Sequence, residues 1–452
     1  MDSITLENFR CFRERQTAHL APLTLLVGEN STGKTSFMAL IRALWDIAYE
    51  HEIPDFKEEP YDLGSYEEIV HHRGARGGRA KTFEAGFNVS PSLKPNGQSY
   101  CFEVTFGKTG TAPIPVGARL AREGGWIEVL FERNYHCQVS FGTPRGAWRL
   151  KTPYIRRVRL DAYDDRISVF FSIPRILKEF IDRRNIELIT PQGSSSPTDE
   201  DFDLIEQLNL TLDRDSYRYR EETPPYASAP VRSYPRRTYD PTRLIRDAEG
   251  VFVPMYLANM YFSDQNGWAR LRKALENFGR DAGLFDEISI RPLGKKDSEP
   301  FQVQVRKFGR RLKGPQRNLV DVGYGVSQVL PVITELLSRE APSLFLLQQP
   351  EVHLHPSAQA ALGSLFCQVA GPERQLIVET HSDHLLDRVR MDVRDEETKL
   401  KPEDVSVLYF EREDLDVHIH SLRFDEQGNV LDAPPGYRQF FMEEMRRSLW
   451  KR

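Results

Sequence analysis

The stretch Gly28-Glu29-Asn30-Ser31-Thr32-Gly33-Lys34-Thr35 constrains this chain more than any other, because it matches G-x-x-x-x-G-K-T letter for letter. Before it, Leu23-Thr24-Leu25-Leu26-Val27 is an unbroken apolar run of strand formers, the pattern of a strand covered on both faces. After it, Phe37, Leu40, Ile41, Leu44 and Ala48 recur at helical spacing. Strand, glycine loop and helix in that order are the context this motif requires. The glycines let successive backbone N–H groups turn inward around a β-phosphate, and the helix N-terminus adds its partial positive charge. Lys34 is placed to neutralise β- and γ-phosphate oxygens, and the Thr35 hydroxyl to ligate Mg²⁺. ATP and Mg²⁺ are therefore the expected ligands, with Asn30, Ser31, Gly33, Lys34, Thr35 and Ser36 as nucleotide contacts.

Composition narrows the class. At 452 residues, with 40% hydrophobic and 28% charged, the chain is long enough for a well-buried core and has ordinary soluble usage. No apolar run approaches the ~20 residues of a membrane helix. The first residues, Met1-Asp2-Ser3-Ile4-Thr5, lack the basic start and apolar stretch of a secretory signal and read as the start of a strand. Cys11, Cys101, Cys137 and Cys367 are scattered without a C-x-x-C pair, which excludes a zinc knuckle and suits a reducing cytoplasm. A formal charge of −5 confines any DNA contact to a local patch.

The last third of the sequence carries further motifs. Ser343-Leu344-Phe345-Leu346-Leu347 is a second buried-strand run, followed by Gln348-Gln349-Pro350-Glu351-Val352-His353-Leu354-His355-Pro356. A helical segment follows with Ala358, Ala361, Leu362, Leu365 and Phe366 on one side. Leu376-Ile377-Val378 then leads to Glu379-Thr380-His381-Ser382, and upstream Asp321-Val322-Gly323-Tyr324-Gly325-Val326-Ser327-Gln328 opens a helix on a glycine-rich turn.

Together with Leu6-Glu7-Asn8-Phe9-Arg10-Cys11-Phe12 near the start, this set resembles the ABC-type ATPases of the OLD-like and RecF/SMC-like group. Gly28–Thr35 corresponds to the Walker A loop, Gln348–Pro356 to the Walker B region and Thr380-His381-Ser382 to the histidine switch. Asp62-Leu63-Gly64-Ser65-Tyr66 is similar to the element near the Q-loop. The resemblance implies an α/β fold: an ABC-type head with a mixed sheet, an antiparallel β-lobe and an inserted α+β or helical subdomain. It implies that His381 senses the γ-phosphate and that Arg10 approaches the nucleotide. Ser327 and the Gly323 and Gly325 backbone would form the signature patch that meets the nucleotide of a neighbouring subunit. A dimer or larger homo-oligomer held by ATP follows as an expectation.

One departure bears on chemistry. Where such ATPases carry an acidic Mg²⁺-side residue and then an acidic base, this chain has Gln348 and Gln349. Glutamine can orient water or bond to a metal-bound water, but it cannot accept a proton at neutral pH. Glu351 is the nearest carboxylate able to act as base or Mg²⁺ partner. Slow hydrolysis through Glu351 and tight ATP binding with little turnover both remain open, so the candidate catalytic set is Glu351, Gln349, Gln348 and His381, with Thr35 and Gln348 on the metal side.

Weaker signals have bland readings. His353 and His355, on a turn before Pro356, look like a metal pair without further ligands, and the resemblance implies packing and capping roles for them instead. Glu411–Asp416 lies between two strand-like runs and reads as a hairpin turn rather than a Toprim D-x-D, and too few residues follow His384 for a whole Toprim domain. The basic stretch Arg306–Lys313 reads first as a solvated hairpin turning at Gly309 and second as a phosphate grip. Arg232, Arg236 and Arg237 sit in the Pro/Tyr-rich loop Tyr217–Pro241, which reads as a nucleic-acid- or partner-binding loop or as a plain surface loop. Short alternating runs over Lys81–Leu150 predict an antiparallel meander. Helices are expected near Pro174–Arg184 and Gly267–Asn277, and a linker at Gly193–Pro197.

The expected organisation is a first half-head over 1–150, an inserted oligomerisation or partner-binding subdomain over 151–314, and a second half-head over 315–452. The expected role is an ATP-dependent assembly or sensor subunit of a prokaryotic anti-phage defence system. Its partner would be a separately encoded effector such as a nuclease. A RecF-type clamp on duplex DNA and a non-hydrolysing ATP switch are the rivals.

Overall fold

The computed structural model describes residues 1–50, 52–72, 74, 78–89, 99–131, 137–150, 166–167, 170–171, 186–189, 197–208, 224–241, 245–295, 299–310 and 312–437. The chain divides into two compact units. The first comprises Met1–Leu20, Glu29–Glu222 and Phe410–Ile419, and the second Ala21–Gly28, Thr223–Tyr409 and His420–Arg452.

The first unit is built on a nine-stranded antiparallel sheet. Its strands are β1 (Ser3–Glu7), β2 (Gln16–His19), β4 (Phe83–Val89), β5 (Tyr100–Thr109), β6 (Ala112–Arg122), β7 (Gly125–Phe131), β8 (Cys137–Thr143), β9 (Gly146–Leu150) and β10 (Ile186–Leu188). Their order is β10-β9-β8-β7-β6-β5-β4-β1-β2. The meander expected over Lys81–Leu150 is present, and Ser3–Glu7 pairs with it antiparallel along β4. Alternate burial in β5 sends Tyr100, Phe102, Val104 and Phe106 to one face, as a half-covered strand requires. Phe83 stacks on Phe106 at 4.8 Å, and the rings of Phe9 and Phe56 approach Phe83 at 5.7 and 5.9 Å. In this unit α1 (Lys34–Trp45) buries Phe37, Leu40, Ile41 and Leu44, the positions the spacing marked. It widens into a π-helical turn over Asp46–Glu50. A short helix, α2 (Tyr66–Ile69), starts on a capping box between Ser65 and Glu68.

A seven-stranded sheet comprises β3 (Leu23–Gly28), β11 (Tyr226–Ser228), β15 (Leu344–Gln348), β16 (Gln375–Glu379), β17 (Val405–Glu413), β18 (Asp416–Phe424) and β19 (Val430–Leu431), all of the second unit except the Phe410–Ile419 stretch of β17 and β18. The order is β11-β15-β16-β3-β17-β18-β19, and β11, β15, β16 and β3 run parallel. All five residues of β15 are buried, which is why its sequence shows no alternation. The helices of this unit are α3 (Val253–Ser263), α4 (Gln265–Asp281), α5 (Tyr324–Leu337), α6 (Pro356–Val369) and α7 (Asp383–Arg394). A three-stranded sheet follows α4, made of β12 (Glu287–Pro292), β13 (Phe301–Arg306) and β14 (Arg317–Asn318). One apolar cluster runs from Leu23 and Leu25 through Phe345 and Leu347 to Leu362, Phe366, Val389 and Val405, so the strands that carry the motifs share a core.

The helix expected near Gly267–Asn277 lies within α4, whose Asp264 side chain caps it by accepting from the Gly267 N–H at 2.9 Å. The helix expected at Pro174–Arg184 and nearly all of the linker expected at Gly193–Pro197 lie outside the described residues. Among the described residues no helix is long and apolar enough to cross a membrane.

Candidate functional site

In the first unit, the glycine loop closes on itself. Ser31 has φ +63° and Gly33 φ +86°, two left-handed residues in one short loop. This alternation turns successive N–H groups to one side and makes a concave anion receptor. Gly33 is required: a Cβ there would lie 2.6 Å from the Cys11 sulfur and 2.9 Å from the Phe12 ring. Lys34, the first residue of α1, is 2% exposed, and its Nζ donates to the Glu29 carbonyl at 2.6 Å. The Thr32 hydroxyl donates to the same carbonyl at 2.9 Å. A desolvated ammonium inside a ring of backbone at a helix start is an anion site by its electrostatics. Asn30, Ser31 and Thr35 are exposed along the loop, whereas Ser36 is buried.

Other parts of that unit brace the loop. The Cys11 thiol points to the Thr32 carbonyl at 3.9 Å, and burial pushes its pKa up to about 11, so it stays a neutral packing group. Arg412, in the β17–β18 hairpin, donates to the Ser31 carbonyl. That contact is not legible in the sequence, since 381 residues separate the two. Arg10 has φ +47° and donates from Nη2 to the Leu63 carbonyl at 2.7 Å, while its own carbonyl meets His71 Nδ1 at 2.7 Å. Burial lowers the Arg10 pKa.

In the second unit, the turn after β15 gathers the other candidates. Gln348 is buried and its N–H donates to the Ser228 hydroxyl at 3.2 Å. Gln349 has φ +40°, rare for a residue with a side chain, and its N–H donates to the Glu379 carbonyl at 2.9 Å. Glu351 is 5% exposed. Its Oε1 accepts from the Thr380 hydroxyl and from the His381 N–H, each at 2.8 Å. Glu351 and His381, 30 residues apart in sequence, are thus joined directly. Burial raises the Glu351 pKa above the ordinary glutamate value, against the lowering effect of these hydrogen bonds. Its Oε2 has no protein partner among the described residues.

The remaining candidates also fall in the second unit. Ser327, near the start of α5, donates from its hydroxyl to the Tyr324 carbonyl at 2.8 Å. A Cβ on Gly325 would lie 2.6 Å from the His353 carbonyl, so glycine allows α5 to touch the turn after β15. His353 places its ring 4.9 Å from Tyr324, and His355 caps α6 by accepting from the Ser357 N–H. Both histidines do the packing and capping work expected of them. Arg232 overturns the surface-loop reading: it is 1% exposed and donates to the carbonyls of Gln348 and Gln349 at 3.0 and 3.2 Å. Arg237 is exposed and forms a two-pronged pair with Asp321 at 2.6 and 3.0 Å. Tyr217–Thr223 of that loop lies outside the described residues.

These residues fit a nucleoside triphosphate: a buried ammonium, a left-handed glycine loop and a helix start are grouped in one short segment. Bound ATP would supply the phosphoanhydride bond and the negative charge that Lys34 meets. For Mg²⁺ the first unit offers the Thr35 hydroxyl, a neutral donor, so the phosphate oxygens would carry the countercharge.

Residues 133–387 match the family model described as "AAA domain, putative AbiEii toxin, Type IV TA system", more than half of the chain. The chain belongs to this AAA family. A second model, described as "AAA ATPase domain", matches residues 1–72 of this AAA protein, which include the glycine loop. The motif reading of a P-loop ATPase therefore stands, and the sheets and helices described above are mixed α/β as expected. Solved structures similar to the AAA chain include an Smc head bound to the C-terminal winged-helix domain of ScpA. It is 8% identical with a TM-score of 0.43, covering 94% of this chain and 98% of that one. Another is the Smc head domain with an extended coiled coil from Pyrococcus furiosus, 11% identical with a TM-score of 0.42, covering 98% and 99%. The SMC head domain from Thermotoga maritima is 11% identical with a TM-score of 0.35, covering 93% and 98%. No curated protein matches the sequence.

Proposed function

We propose that this AAA protein binds MgATP through Gly28–Thr35, hydrolyses it slowly with Glu351 as base, and uses the nucleotide to hold an assembly of its own copies. That assembly would restrain a separately encoded effector of an OLD-like prokaryotic defence system, a nuclease being the natural class. The observation that carries the reading is Lys34, a buried ammonium folded onto the Glu29 carbonyl in a loop shaped for phosphate. The description of the matched family names a toxin of a toxin–antitoxin system, and this supports a defence setting over repair. Glu351 would take the proton of the attacking water, and the His381 N–H on the same carboxylate would fix its orientation. The cytoplasm is the proposed location.

Purification of the native protein with its neighbours tests the effector claim. A nuclease-like polypeptide that leaves on ATP hydrolysis is expected, and a solitary protein with strong DNA-stimulated turnover counts against it. The RecF-type reading draws on one observation. Phe308 is 42% exposed on the basic hairpin, with Lys313 Nζ 5.2 Å from its ring centre, a pairing that suits base stacking. Arg311 of that hairpin lies outside the described residues.

A further inference from the structure

Arg232 ranks among the largest fully buried side chains of the protein. Its backbone is fixed by Gln328, whose amide accepts from the Arg232 N–H at 3.1 Å and donates to the Arg232 carbonyl at 3.2 Å. The side chain then reaches the end of β15, where Nη2 bonds the carbonyls of Gln348 and Gln349. Nε and Nη1 have no protein partner among the described residues. We infer that Arg232 is a positioning residue of the ATPase, clamping the strained turn Gln348–Glu351 so that Glu351 is presented in one orientation. This rests on the hydrolytic reading above.

The argument is one of strain and burial. Gln349 sits at φ +40° and is held from both sides, its N–H by the Glu379 carbonyl and its own carbonyl by Arg232. Two residues later comes Glu351, whose charge acts attractively on Arg232. Burial outweighs that attraction and lowers the arginine pKa. A buried cation with two unbonded nitrogens weakens a fold, and an apolar side chain of similar length commonly leaves stability equal or improved. A strained backbone and an unfavourable buried charge at one place mark a site where stability has yielded to function.

The test replaces Arg232 by Met and by Lys in the full chain and follows melting temperature, amide exchange and steady-state MgATP hydrolysis. In Arg232→Met the melting temperature is expected to hold or rise, while exchange at the Gln349, Val352 and Leu354 amides rises about tenfold with α6 unchanged. The same variant is expected to lose about thirtyfold in kcat with KM within about threefold, the mark of a displaced catalytic group. Arg232→Lys, which keeps the charge, is expected to recover part of kcat. Unchanged exchange at those amides, or a kcat within about threefold of wild type, overturns the inference. So does a fall in melting temperature that accompanies equal losses in kcat and affinity. If wild-type turnover does not exceed that of Lys34→Ala, the hydrolytic reading fails, and the exchange result alone still decides whether Arg232 holds the turn.

Discussion

Glu351 is hidden, and the role proposed for it needs it ionised. Its burial favours the neutral acid, so the folded-state pKa lies above the value in the unfolded chain. A group shifted this way gives its stability in acid and loses it as pH rises through the raised value, so the carboxylate costs stability on the alkaline side. Glu351→Gln keeps the acceptor for Thr380 and His381 and is expected to melt higher than wild type at pH 8, with the gap closing toward pH 4. Calorimetry at the two pH values checks this, and a gap that widens in acid would sink it. The same variant should lose turnover by about 100-fold or more while binding ATP normally. Wild-type turnover should fall in acid at a pH above the usual glutamate range. Lys34 plays the opposite part, a buried cation in a loop shaped for phosphate. Charge-assisted hydrogen bonds contribute about 1.5–3 kcal/mol, so Lys34→Ala is expected to weaken a fluorescent ATP analogue by roughly 10- to 150-fold. Equal affinity in a titration would remove the loop from the nucleotide site.

Helix α5 meets the turn after β15 where a side chain would not fit. Adding one methyl at Gly325 places carbon 2.6 Å from the His353 carbonyl, a main-chain atom that cannot swing away. Gly325→Ala is expected to destabilise by about 1–3 kcal/mol in thermal or denaturant melts, while Ala substitution at the open Gly371 changes little. Equal effects at the two glycines would show that the contact is soft. This contact was only half legible beforehand. The glycine-rich turn could be seen in sequence, as could β3, β15 and β16, because a strand covered on both faces leaves an unbroken apolar run. The meander was legible from its period of two. What escaped were contacts between distant segments. Arg232 lies 116 residues before Gln348, and nothing local marks a cation in a Pro/Tyr-rich loop as buried. Equally hidden were the pairing of Ser3–Glu7 with β4 and the parallel docking of β11 on β15, since register between remote strands is set by the finished core.

At the scale of the whole molecule, the formal charge of −5 argues against a protein that holds duplex DNA by phosphate contacts alone. Duplex DNA is expected not to be retained at about 150 mM salt. A steeply salt-dependent affinity that drops on Arg310→Ala would favour the clamp reading instead. Assembly sets a larger demand. For ATP to move copies from about 1% to 99% assembled, it must favour the assembled form by roughly 10⁴-fold, or ~5.5 kcal/mol. Two nucleotides, each gaining two charge-assisted bonds of about 1.5–3 kcal/mol from a second copy, reach that figure. The Ser327 and Gly325 end of α5 is where such bonds are proposed to arise. Mass measurement in solution should therefore give at least a doubled mass with ATP, a smaller one with ADP, and no response in Lys34→Ala. Because linkage is reciprocal, ATP affinity should also rise with protein concentration. A mass indifferent to nucleotide, with affinity independent of concentration, would leave each copy a complete ATP binder and end the gating proposal.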